Sequence, residues 1–130
     1  MQKMGEGKIF AFSCNSVKYN YPDLAVFTSS KVAVECLIKC VANEYSKFNI
    51  IANVFALPSI KTKSVIATKP ELYHKDYATI DELVNCIELE CENISPHING
   101  NIINLFKYSE PFYYKGYYER NIMWEEELSG

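Results

Sequence analysis

The sequence predicts an α/β fold of about three parallel strands with flanking helices. Two observations carry this. Short runs rich in β-branched and aromatic residues alternate with longer stretches whose apolar residues recur at helical spacing, and that alternation builds a parallel sheet. The chain has 130 residues, 48% hydrophobic and 22% charged, which is globular composition with room for one core. Five Gly and five Pro are too few for a fibrous or low-complexity chain.

Lys8 to Ser13 is a short apolar run after a glycine and reads as a buried strand. Residues 15–23 carry Ser, Asn, Lys, Tyr and Pro and read as a loop over its carboxyl end. From Leu24 to Phe48 the period becomes helical. Val34, Leu37, Cys40, Val41 and Tyr45 form a stripe widened by Ala33, Ile38 and Ala42, while Lys31, Glu35, Lys39 and Asn43 mark the polar side. Ile50 to Ala56 is a second strand, stopped by Pro58. Residues 59–78 read as a loop with one short helical turn. Thr79 and Glu82 make a capping box opening a helix whose apolar positions include Leu83, Val84, Ile87 and Cys91. Gly100 to Leu105 is a third strand.

Charge and cysteine content exclude several classes. A net charge of −3 is the wrong sign for the basic stripe of a nucleic-acid binder. No apolar run reaches the ~18–20 residues of a membrane span, and the first residues lack a signal peptide's apolar stretch. Five cysteines without C-x-x-C spacing suit free thiols in a reducing cytoplasm. Cys36 and Cys40 share a helix face and could hold a metal, but no third and fourth ligands stand nearby, so core packing is the plainer reading. His74 and His97 are too separated to suggest a site. The Asn93-Ile94-Ser95 glycosylation triplet is followed by Pro96, with no sign of secretion.

The order of elements and several local motifs resemble the carboxyl-terminal half of a short-chain dehydrogenase/reductase. That family's active-site strand commonly ends in a serine pair, with a tyrosine thirteen residues after the second serine and a lysine four beyond it. Here Gly7 to Cys14 resembles the strand, Phe27 lies thirteen after Cys14, and Lys31 lies four after Phe27. Met1 to Met4 resembles the last turn of the helix before that strand. Ser29 to Val34 resembles the start of the family's central helix, and Ala42 with Glu44 its Ala-x-Glu. Leu57 to Thr62 falls on the Pro-Gly-x-Ile-x-Thr turn, with Pro58 in the glycine position, and Asn99 to Asn104 resembles the closing strand.

The resemblance implies a partial Rossmann-like three-layer fold over residues 1–107, followed by an aromatic and acidic tail over 108–130. It also implies the roles at stake. In the family the tyrosine is the general acid/base, the lysine lowers its pKa and binds the nicotinamide ribose, and the serine polarises the carbonyl. Phe27 and Cys14 occupy the tyrosine and serine positions, so Lys31 alone remains of the three. A missing acid/base costs about 10²–10⁴-fold in rate. Lys31, Ile60 and Thr62 are retained cofactor-side positions, vestigial without the nucleotide-binding half. NAD(P) is the cofactor by resemblance, yet none is expected on this chain alone, because Gly5-Glu6-Gly7 precedes a strand instead of following one. Tyr19 or Tyr21 could replace the lost phenol, but each is misplaced by several residues.

The expectation is therefore a truncated, catalytically inactive pseudoenzyme in the cytoplasm, without nucleic-acid or membrane partners. It self-associates through the 24–48 helix, which resembles the family's subunit-interface helix. The alternative is an oxidoreductase half that works on a carbonyl or alcohol with a separate nucleotide-binding half. The tyrosines at 108, 113, 114, 117 and 118 leave a third reading, a protein-binding tail.

Overall fold

The computed structural model describes residues 1–20, 23–68 and 77–105. Its elements are β1 (Gly7–Cys14), α1 (Ser16–Tyr19), α2 (Ala25–Tyr45), β2 (Ile50–Leu57), α3 (Lys63–Thr68), α4 (Ile80–Asn93) and β3 (Ile102–Asn104). The sheet is parallel in the order β1-β2-β3. Gly7 lies opposite Ile50 and Cys14 opposite Leu57, so the first pair runs its full length. The second pair is short, Val54–Ala56 against Ile102–Asn104. The α/β, Rossmann-like architecture that the strand–helix alternation predicts is the one observed.

β2 is the central strand, and that explains its composition. Ile50 through Ala56 are all buried, as expected of a near-continuous apolar run covered on both faces. Its one polar residue, Asn53, has no exposed surface and is satisfied on both sides. Nδ2 donates to the Ile98 carbonyl (2.9 Å) and Oδ1 accepts from the Asn101 amide (3.0 Å). Asn99 completes the join. Its Oδ1 accepts from the Ala52 amide (2.9 Å) and its Nδ2 donates to the Ala42 carbonyl (3.1 Å), tying helix, central strand and the approach to β3. Gly100 follows at φ +70°, a left-handed conformation that costs a glycine little.

α2 packs Ile38 and Ala42 onto Ala52 and Val54, with Ile9, Ala11, Val41 and Ile102 around them. A short 3₁₀ turn, Ser46–Phe48, and the left-handed Asn49 (φ 57°) then return the chain to the sheet. The other face of the sheet carries Phe10 and Phe12, stacked on Phe55 with ring centroids 4.9 and 6.2 Å away. Lys8 shares the Phe10 and Phe12 side of the pleat, and its ammonium donates to the Cys91 carbonyl of α4 (2.9 Å). α4 begins with the expected capping box: Glu82 N–H donates to Thr79 Oγ1, and Thr79 N–H donates to the Glu82 carboxylate. Among the described residues no helix is long and apolar enough to cross a membrane.

Two expectations are corrected. The segment between β1 and α2 is not all loop, because Ser16–Tyr19 forms α1. The inward side of α2 is also rotated from the expected stripe. Thr28, Glu35, Ile38 and Ala42 are buried, Val34 and Val41 are half-buried, and Leu37, Cys36, Cys40 and Tyr45 are exposed. The reason is a hydrogen bond: Glu35, expected on the solvent side, finds a hydroxyl partner on β1 and turns inward. Tyr21, His74 and everything from Phe106 onward, including the tyrosine-rich tail, Trp124 and the acidic end, lie outside the described residues, as does the side chain of Tyr19.

Candidate functional site

The candidate residues gather at the carboxyl end of the sheet. There the Asn15 amide extends the ladder by donating to the Leu57 carbonyl (3.0 Å), and the chain turns into α1. Ser13, buried at the end of β1, donates from Oγ to Glu35 Oε1 at 2.6 Å, and Glu35 is only 7% exposed. Cys14 Sγ and the buried Ser16 Oγ share a hydrogen bond at 2.6 Å. A thiol is a much weaker donor than a serine hydroxyl, and here it is already engaged. Two buried polar atoms close by, Asn15 Nδ2 and Thr28 Oγ1, have no hydrogen-bond partner.

Phe27 and Lys31 stand one turn apart on α2, with Glu35 one turn further, so the three share a row along the helix. The Lys31 ammonium lies 5.7 Å from the centroid of the Phe27 ring, within cation–π range. The ring itself is 47% exposed. The Ser13–Glu35 bond fixes this row against the carboxyl end of β1. The arrangement therefore holds an ammonium beside an aromatic face, but the ring carries no group that could give or take a proton.

Ile60 and Thr62 sit in the segment that follows β2. Ile60 forms a parallel bridge with Ala78, framed by Lys61 N–H to Ala78 O and Ala78 N–H to Ser59 O, both 2.9 Å. The Thr62 carbonyl accepts from Ile66 N–H (2.9 Å) and opens α3. A cavity of about 170 Å³ at this end of the sheet is lined by Cys14, Val17, Lys18, Glu35, Ala56, Ile102 and Asn104. Its described lining includes none of Phe27, Lys31, Ile60 or Thr62. A larger cleft, about 550 Å³, opens beside Gly7, Lys8, Asn49, Ile94 and Pro96 and holds no candidate residue. The structure thus joins Cys14 to Glu35 through one cavity and Phe27 to Lys31 through one contact.

Periodicity could not reveal Glu35 or Ser16. Both are polar residues whose burial depends on a partner distant in sequence or on a turn. A dinucleotide's pyrophosphate needs a glycine-rich turn between a strand and a helix, where backbone amides can approach it. In the described residues Asn15 follows β1 and Pro58 follows β2, while Gly5 and Gly100, both at positive φ, precede β1 and β3. These turns do not fit the pyrophosphate. No group of three or more metal-ligating side chains occurs among the described residues.

A family model described as short chain dehydrogenase matches residues 1–72. No curated protein matches the chain significantly. Solved structures do. A short-chain type dehydrogenase/reductase from Mycobacterium ulcerans superposes with a TM-score of 0.71 at 19% identity, covering 82% of this chain and 42% of that one. A 3-oxoacyl-[acyl-carrier protein] reductase from Brucella melitensis gives 0.69 at 20% identity, covering 82% and 43%. ElxO, solved with NADP bound, gives 0.69 at 22% identity, covering 82% and 47%. The chain spans less than half the length of these proteins, and at such identity the likeness establishes the fold. The family match extends over more than half of the chain and ends in the segment that leads from β2 past α3; this chain belongs to the short-chain dehydrogenase family.

Proposed function

We propose that this chain is a catalytically inactive member of its family that acts by self-association through α2. One observation supports the reading: the ammonium of Lys31 lies 5.7 Å from the Phe27 ring, and Phe27 stands four residues before that lysine, the spacing of the family's proton-transferring tyrosine. Without a hydroxyl there, no proton reaches a carbonyl or alcohol oxygen from this position. The side of α2 turned away from the sheet supports the association. Val26, Ala33, Leu37 and Cys40 lie along it, exposed and uncharged, with Leu37 61% exposed. An uncovered apolar strip of this kind marks a contact surface. The cytoplasm suits five free thiols, which stay reduced there.

Sedimentation velocity tests the association. A dimer is expected for the native chain and a folded monomer for Leu37→Glu, while a monomeric native chain would end the reading. Turnover of any ketone or alcohol by the purified chain with added NAD(P)(H) would overturn the inactivity.

A second reading has its own support. β1 has one hydrogen-bonded neighbour among the described strands, and by motif resemblance Lys31, Ile60 and Thr62 correspond to cofactor-side positions of the family. On this reading the chain completes a separate nucleotide-binding half, to which NAD(P) would bind. Restoring the phenol with Phe27→Tyr in such an assembly should raise the rate about 10²–10⁴-fold. A cofactor-loaded assembly indifferent to that substitution would dispose of it.

A further inference from the structure

All five cysteines are free, and their placement separates them chemically. Cys14 is engaged with Ser16 Oγ. Cys86 and Cys91 lie five residues apart on α4, about 140° apart around its axis at 3.6 residues per turn, and Cys91 is half-buried. Cys36 and Cys40 differ from these. They lie four residues apart near the middle of α2, and both are exposed, contrary to the core packing that their apolar company suggests.

Residues at that spacing stack one above the other, with Cβ atoms roughly 5–6 Å apart. The distance discriminates between two fates. A disulfide wants Cβ atoms about 3.8 Å apart, so an oxidised pair would have to distort the helix. An ion bonded to each sulfur at about 2.3 Å bridges sulfurs about 4 Å apart, which χ1 rotation supplies with the backbone left in place. No third ligand converges on the pair, since the described residues hold no group of three metal-ligating side chains. A thiophilic centre held here must therefore be satisfied by two sulfurs.

We infer that Cys36 and Cys40 form a two-point dithiol site for a thiophilic centre, with a trivalent organoarsenical as the matching chemistry. Two S–As bonds form, the two thiol protons pass to the oxygen on arsenic, and that oxygen leaves as water. Arsenic stays trivalent, so no oxidant or reductant takes part. Cys40 belongs to the association strip as well as to this site, so the pair is open in the monomer and covered where α2 pairs.

The test uses phenylarsine oxide at one equivalent, read by intact mass and by thiol titration. It is run on the native chain and on Leu37→Glu, whose monomeric state, verified by sedimentation, leaves both thiols uncovered. A single adduct with two fewer titratable thiols on Leu37→Glu is expected. Cys36→Ser or Cys40→Ser should weaken retention about 100-fold or more, because two-point attachment becomes one-point. Both positions are exposed, so the fold survives, and far-UV circular dichroism verifies it. Cys86→Ser should change nothing. The inference falls if Leu37→Glu takes up no arsenical, if either α2 variant holds it as tightly as the parent, or if Cys86→Ser abolishes the adduct.

Discussion

Glu35 is the residue on which the geometry of α2 turns. A carboxyl group 7% exposed, with Ser13 Oγ at 2.6 Å, is in place because a hydroxyl meets it. Buried polar groups left without a partner cost their full desolvation, about 1–3 kcal/mol, whereas replacing both partners by apolar groups of similar shape is nearly neutral. Ser13→Ala should therefore lower unfolding stability by about 1–3 kcal/mol, and Ser13→Ala/Glu35→Leu should recover most of that loss. Urea melts of the two variants decide it: a double variant less stable than the single one would mean that Glu35 serves a contact other than Ser13. The same scale explains Phe27. On the proposed reading, phenylalanine at the family's tyrosine position keeps the ring's bulk and its face for Lys31 without the oxygen, so the helix start would keep its packing and lack the proton chemistry.

At the scale of elements, the helix and strand spans follow from local signals, and the faces follow from distant ones. Thr79 with Glu82 marks the start of α4 in sequence, and both reciprocal bonds form. Thr79→Ala removes one of them and should cost about 1 kcal/mol, read as a lower thermal midpoint. A midpoint unchanged by that substitution would show that α4 owes its start to packing at the buried Leu83 instead. β1 and β2 were legible as apolar runs, and the Cys14, Phe27, Lys31 spacing was legible as a family pattern. The inward side of α2 was not, because apolar periodicity weighs Leu37 and Cys40 as core and cannot see that Ser13, on another strand, draws Glu35 in. Asn99 was placed by its match to a family position. Its two bonds, to Ala52 and Ala42, became visible only once helix and strand were adjacent. The short helix α1 escaped for a different reason: four residues carry too little period to distinguish a turn of helix from a loop.

For the whole molecule, a chain that spans less than half the length of these structural relatives, with three sheet strands among the described residues and β1 at the edge, raises the question of that edge. Along that side β1 runs eight residues without a proline, and Lys8 is its only charged side chain. Edge strands that stay monomeric usually carry charges, prolines or bulges that discourage pairing. Phe12, 47% exposed and 6.2 Å from the Phe55 ring, sits where a charge would act as such a guard. Phe12→Lys gives up a ring contact worth about 0.5–1.5 kcal/mol, so its folded state should weaken slightly. Its light scattering on refolding should nevertheless fall below that of the native chain at the same concentration, because the lysine opposes edge-to-edge pairing. Leu37→Glu, acting on the far side of α2, should dissolve the proposed α2 dimer and leave that scattering in place. If Phe12→Lys scatters like the native chain and Leu37→Glu abolishes scattering, the β1 edge is not an association surface, and α2 carries all of it.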